Sequence, residues 1–287
     1  MSESLFVSDL HGRPDRYRKL FEAVLSLRPA AVFLGGDLLP HPMISMGSVD
    51  PELRDFLAGF LVPGFAGLRE AMSGDYPRVF LILGNDDARS EEEDVLEAAK
   101  SGLWEYAHAR RIPWGAFTVY GYACVPPTPF QLKDWERYDV SRFVDPGCIP
   151  PEEGWRTMAA SESEARFSTI REDLEKLSGD DDLRLGVFLM HAPPHGSGLD
   201  RAALDGKSVD HAPLDLHVGS IAVRRFIEAR QPLLTLHGHV HESARLTGTW
   251  RERIGRTWAL SAAHDGPELA LVRFDPERPA DAIRELR

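Results

Sequence analysis

This chain has little cysteine, no long apolar run and no excess of positive charge, and each lack removes a class of protein. Among 287 residues only Cys124 and Cys148 carry thiols. Two cysteines cannot build a disulfide framework, and neither sits in a C-x-x-C pair of the kind that grips zinc. One reads as a strand cysteine and the other as a loop cysteine. No apolar stretch nears the roughly 20 residues a membrane-spanning helix needs. The first polar cluster starts at Ser8, which leaves no room for a secretory leader, so the expected location is the cytoplasm. Lys and Arg number 33 against 45 Asp and Glu, a formal charge of -12. That balance argues against a nucleic-acid polymer or an anionic membrane as partner. A small anion stays compatible, because bound metal would add local positive charge.

What the chain does have is a full complement of core residues, 43% hydrophobic, in a length that suits one domain over residues 1–287. Leu5-Phe6-Val7, Ala31-Val32-Phe33-Leu34 and Val79-Phe80-Leu81-Ile82-Leu83 are continuous apolar runs, the pattern of strands buried on both faces. Between the first two, Leu20, Val24 and Leu27 follow Pro14 with helical spacing and stop before Pro29. The spacing predicts a helical stretch over residues 51–72, interrupted near Pro63-Gly64. Glu91 to Asp94 open a further helix with negative charge at its N-terminal end. The first half therefore reads β-α-β-α-β.

After Trp104 the pattern changes. Phe117 to Tyr122 has strand composition, and a proline-punctuated stretch then runs to residue 154 without helical period. A polar helix is expected at about 160–177, a strand over Leu185 to Met190, a helix at 217–229 and a strand over Leu233 to Leu236. Residues 243–274 read as an antiparallel meander of short strands.

Five short clusters punctuate the ends of these runs: Ser8-Asp9-Leu10-His11-Gly12, Gly35-Gly36-Asp37, Gly84-Asn85-Asp86-Asp87, Met190-His191 and Gly238-His239-Val240-His241. Each puts Asp, Asn or His where a strand gives way to glycine or a turn, which is where an α/β sheet presents a site. In extended backbone Asp9 and His11, two apart, leave on one face and can grip one cation. Singly, each cluster also fits a plain turn or a surface histidine. Seven O and N donors without sulfur suit Mn, Fe, Zn or Ni.

In order and content the clusters resemble the calcineurin-like metallophosphoesterase family, whose pattern reads D-x-H, G-D, G-N-H-(E/D), H, G-H-x-H. The resemblance spans residue 5 to about 241. It implies a four-layer αββα sandwich of two mixed β-sheets flanked by helices. It also implies two divalent transition-metal ions, with manganese the first choice. Asp9, His11 and His241 would hold one ion, Asn85, His191 and His239 the other, and Asp37 would bridge them. Two such ions about 3.5–4 Å apart acidify a bridging water for in-line attack on a phosphoester.

The third cluster departs from the pattern, because Asp86 stands where the family has the His that meets substrate and assists the leaving oxygen. An Asp close to two cations is expected to be ionised and unable to donate a proton. Asp86 is therefore read as an extra metal-side or water-orienting group, and His195 as the first candidate to protonate the leaving group. His41, Arg89 and His211 are further candidates for phosphate contact, His237 for a buried supporting role, and His264 for a turn.

The expected activity is metal-dependent hydrolysis of a small or nucleotide-type phosphodiester. A capping segment at about 126–156 would shape the pocket and offer Phe130 or Trp135 for stacking. The alternatives are a non-catalytic metal-binding scaffold on the same fold and a phosphoanhydride hydrolase.

Overall fold

The computed structural model describes residues 3–43 and 55–287. Its first sheet holds β1 (Ser4–Val7), β2 (Ala31–Gly35), β3 (Arg78–Ile82), β4 (Glu105–Tyr106), β13 (Ala270–Phe274) and β14 (Ile283–Leu286), in spatial order β14-β13-β1-β2-β3-β4. The second holds β5 (Arg111–Trp114), β6 (Phe117–Tyr122), β7 (Gly186–Met190), β10 (Leu234–His237), β11 (Arg251–Ile254) and β12 (Thr257–Ser261), in order β11-β12-β10-β7-β6-β5. A small hairpin pairs β8 (Ser208–Val209) with β9 (Ala212–Pro213). The four strands β1 to β4 run parallel, as do β6, β7, β10 and β12, while β5, β11, β13 and β14 pair antiparallel.

The described residues form seven α-helices: α1 (Pro14–Leu27), α2 (Val62–Met72), α3 (Glu92–Lys100), α4 (Glu162–Phe167), α5 (Ile170–Ser178), α6 (Ile221–Arg230) and α7 (Ser243–Thr247). Two mixed sheets with flanking helices make the expected αββα sandwich. The apolar runs bury because each inner strand is covered twice. Trp114 of the second sheet meets Phe33 and Phe80 of the first edge-on, with ring centroids 5.3 and 6.0 Å away. On the outer face Phe188 stacks on Tyr120 and packs against Phe226 of α6. None of the described helices is long and apolar enough to cross a membrane.

Three expectations of secondary structure change. The polar helix at 160–177 is two helices, because Ser161 and Thr169 each accept the backbone N–H three residues on, and Ser168 and Thr169 are extended. Near Pro63-Gly64 the chain does not break; Leu57–Leu61 forms a widened helical turn that runs into α2 and accommodates the proline, which has no N–H to give. Residues 51–54 of that expected stretch lie outside the described residues. The tail is not a meander: β11-β12 complete the second sheet, β12 running parallel to β10, while β13-β14 return to the first.

Residues 123–160 contain no helix or multi-residue strand, yet they are tied down. Isolated bridges join Val125 to Glu136, Leu132 to Trp155 and Tyr138 to Thr169. Lys133 and Glu136 pair inside the segment at 2.5 Å, and Lys133 also donates to the Thr128 carbonyl. Trp135 is 1% exposed. Its Nε1 donates to the Asp87 carbonyl at 3.0 Å and its ring meets His108 edge-on. The expectation of Trp135 as a stacking platform is therefore wrong, because its ring is spent on packing behind the Asp87 loop. Phe130, at 58% exposed, remains free of that constraint.

Replacing Trp135 with Phe removes the bond to Asp87 and should cost about 1 kcal/mol, whereas Trp135→Ala should cost about 3–5 kcal/mol. Urea unfolding measures both. A Phe variant as unstable as the Ala variant would refute the assignment of the smaller cost to one hydrogen bond.

Candidate metal centre

The parallel strands of both sheets end at one place. β1 leads to Asp9 and His11, β2 to Asp37, β3 to Asn85, β7 to His191, and β10 to His239 and His241. The loops are tightly wound. Asp9 (φ 58°), His11 (φ 47°), Asp37 (φ 52°) and His239 (φ 74°) all adopt left-handed backbone, which is uncommon for such residues and clusters at functional sites. Asp9 and His11 are thus not on an extended tail with alternating side chains. Their convergence comes from a turn zipped to the β2 loop, in which Asp9 N donates to Gly36 O and His11 N to Asp37 O. Glycines flank the ligands because side chains occupy their Cβ positions. A Cβ on Gly84 would lie 2.8 Å from His191 Nε2, and one on Gly238 would lie 2.7 Å from Asp9 Oδ2.

The seven predicted ligands come together in two groups that share Asp37. Donor atoms of Asp9, His11, Asp37 and His241 all lie within 4.8 Å of one another. His241 Nε2 is 3.1 Å from His11 Nε2 and 3.3 Å from Asp9 Oδ1. In the other group His191 Nε2 is 3.2 Å from Asn85 Oδ1, and the His191 and His239 rings are 5.3 Å apart. Asp37 Oδ2 lies 3.3 Å from His191 Nε2 and 4.0 Å from His11 Nε2, so one oxygen faces both groups. Asp9 Oδ2 is buried with no hydrogen-bond partner. An orphaned carboxylate oxygen among ring nitrogens fits divalent cations, since burial without a partner is otherwise costly.

Supporting contacts fix the candidate ligands. His191 Nδ1 faces the Gly35 carbonyl at 2.7 Å, which sets the ring so that Nε2 points inward. Arg16 donates to the carbonyls of Asp9 and Gly266, each at 2.6 Å. Asp87, fully buried, accepts from the backbone N–H groups of Leu38, Leu39 and Gly84 and so binds the β2 and β3 loops to each other. His237 is buried between the Ala192 carbonyl and Thr235 Oγ1. Nothing in the sequence marks Arg16, which sits in an ordinary amphipathic helix.

The charges of Asp9 and Asp37 dominate the titration of this cluster. Burial alone would lower His191 and His241, but the two carboxylates raise them to about 10 and about 9. His239 is pushed down to about 3, because burial and the His191 charge outweigh the pull of Asp37 and Asp9. Asp37 opposes its own burial through His191 and His11 and falls well below the usual carboxylate range. Without metal, therefore, protons on His191 and His241 balance the buried anions. Asp86 moves the other way: burial and the Asp37 charge raise it in the metal-free protein. The expected lowering of Asp86 requires cations to be present.

The remaining candidates have partners of their own. Asp86 Oδ2 is 3.4 Å from His11 Nδ1, at the rim of the cluster. His195 turns its Nε2 to Asp215 at 3.2 Å and its ring lies beside His217, 5.9 Å between centroids. His217, which sequence reasoning missed, is held by the buried Asp200 at 2.8 Å. Arg89 pairs with Glu92 and Glu164 and covers Trp135. His264 pairs with Glu268, His211 occupies a left-handed turn position, and His41 Nδ1 accepts from Met43 N.

The chain matches the calcineurin-like phosphoesterase profile over residues 4–243 and belongs to that family. No curated protein matches its sequence. Among solved structures it is similar to TT1561 of Thermus thermophilus, at 18% identity and TM-score 0.54, covering 99% of this chain and 98% of that one. It is also similar to a dimetal phosphatase from Danio rerio, at 13% identity and TM-score 0.51, covering 95% and 91%. These likenesses show the shared fold.

Because cations would replace the protons on His191 and His241, loading metal-free protein with Mn²⁺ should release protons below about pH 9, and apparent affinity should rise with pH. Calorimetric titration in buffers of different ionisation enthalpy reads the proton count. Stability of the metal-free fold has the opposite sign: the raised rings contribute fully below their ordinary value of 6.5 and lose that contribution as pH climbs through about 9 to about 10. A pH-independent affinity would contradict the assignment.

Proposed function

We propose that this chain hydrolyses a small or nucleotide-type phosphodiester at a two-metal centre. The observation that carries the reading is the sharing of Asp37 Oδ2 between two donor groups, one of which holds the partnerless Asp9 Oδ2. Asp9, His11 and His241 would hold one ion, Asn85, His191 and His239 the second, with Asp37 common to both. When bound, two divalent ions supply Lewis-acid charge for phosphate oxygens and acidify water. Manganese is our first choice among Mn, Fe, Zn and Ni, all suited to O and N donors.

Asp86 favours a diester. With cations bound its carboxylate is ionised, so it repels a phosphate monoester dianion more than a diester monoanion and has no proton to give the leaving oxygen. Proton delivery falls to His195 or to solvent. A cavity of about 430 Å³ lies next to the Asp37 loop, lined by Leu39, Pro40, Ala88, Trp155 and Arg156 but by none of the seven donor residues. Trp155, 42% exposed, offers a ring for stacking there in place of Trp135.

With Mn²⁺, turnover of bis-p-nitrophenyl phosphate should exceed that of p-nitrophenyl phosphate and vanish in Asp37→Ala. Metal binding without turnover of either would favour the scaffold reading, and hydrolysis confined to nucleoside polyphosphates would favour the anhydride reading. If His195 delivers the proton, His195→Ala should slow diesters with poor leaving groups by about 10²–10⁴-fold while sparing p-nitrophenyl esters. Equal loss on both would exclude that role.

A further inference from the structure

Asp86, the residue that departs from the family pattern, touches a ligand from each half of the centre and the carboxylate between them. Its Oδ2 is 3.4 Å from His11 Nδ1, and His11 Nε2 faces inward toward His241 at 3.1 Å. Its Oδ1 accepts from Asn85 Nδ2 at 3.4 Å, which leaves Asn85 Oδ1 directed at His191 Nε2, 3.2 Å away. Its backbone N–H donates to Asp37 Oδ1 at 2.8 Å, which leaves Asp37 Oδ2 to face both groups. Its side chain is 28% exposed, so it stands at the mouth of the cluster with both oxygens turned to ligands.

We propose that Asp86 is a positioning residue for both metal sites at once, fixing the ring of His11 on one side and the amide of Asn85 on the other. The chemistry of the residue type supports this two-sided role. A carboxylate is acceptor-only and has two oxygens, so one can accept from Asn85 Nδ2 while the other faces His11 Nδ1 as a charge partner 3.4 Å away. A neutral imidazole at position 86 has a single acceptor nitrogen and could serve one of them. A carboxylate facing Nδ1 favours the proton on that nitrogen and leaves Nε2 as the metal-facing one, and a carboxylate behind a ligating histidine raises its basicity. Holding the Asn85 NH₂ fixes which end of the amide faces the second site. The replacement of histidine by aspartate thus exchanges a substrate-side group for a ligand-side one.

This inference rests on the two-metal reading of the site, but metal titration tests it without turnover. Metal-free wild type, Asp86→Ala and Asp86→Asn would be titrated calorimetrically with Mn²⁺ at one pH. Wild type should take two ions. In Asp86→Ala both binding steps should weaken by about 10–100-fold, the range seen when a partner of a metal ligand is removed. Asp86→Asn, which keeps one acceptor oxygen and the same shape, should recover one step more than the other. Wild-type affinity in both variants would overturn the proposal, and so would a loss confined to one ion in Asp86→Ala. Should the alanine variant not unfold cooperatively, the isosteric asparagine variant carries the comparison. Two ions bound by wild type without hydrolysis of any phosphoester would defeat the proposed activity and leave the positioning role to be judged by these affinities.

Discussion

Two carboxylates buried side by side constrain everything around them. Asp9 and Asp37 are almost fully removed from solvent, and such anions persist only if positive charge and donors reach them. In the metal-free protein protonated His191 and His241 do this, with backbone donors from Asp86 and His239. Divalent cations would do it better, since they also meet the orphaned Asp9 Oδ2. The sandwich makes this possible by ending parallel strands from two sheets against one another, so that each sheet supplies ligands the other lacks. The first sheet brings every acid and the amide, and the second brings three of the four histidines.

The cost of that meeting is visible in the backbone. Four of the seven candidate ligands have left-handed φ values, and glycines stand where a side chain would strike Asp37, His191 or Asp9. Strain of this kind is held in place by surrounding contacts. Here Asp87 supplies three of them in a single carboxylate, and Trp135 anchors Asp87 from behind. The long segment over 123–160 is thereby coupled to the centre through its packing, by way of Trp135, while Trp155 reaches the cavity beside the Asp37 loop.

Much of the fold was legible in the chain, and so was the gathering of the donor clusters. Strands with continuous apolar runs were read correctly because burial on both faces leaves a plain signature, and the clusters were found because each follows such a strand. Shorter elements escaped. β4, β5 and β14 are brief edge or near-edge strands, where pairing with a neighbour decides the conformation and composition does not. The assignment of β11-β12 to one sheet and β13-β14 to the other was equally hidden, since a turn looks the same whichever sheet its strands join.

The residues themselves determined which donors this protein carries and their oxygen and nitrogen chemistry, with Asp86 and Asp87 following Asn85 in the third cluster. Those are covalent facts, independent of how the chain folds. Only the tertiary structure decided that Asp37 turns one oxygen to both groups, that Asp86 faces His11 and Asn85, that His195 turns to Asp215, and that Trp135 is core while Trp155 is exposed. Each of these depends on distances between segments far apart in the chain, which close packing sets and local sequence does not record.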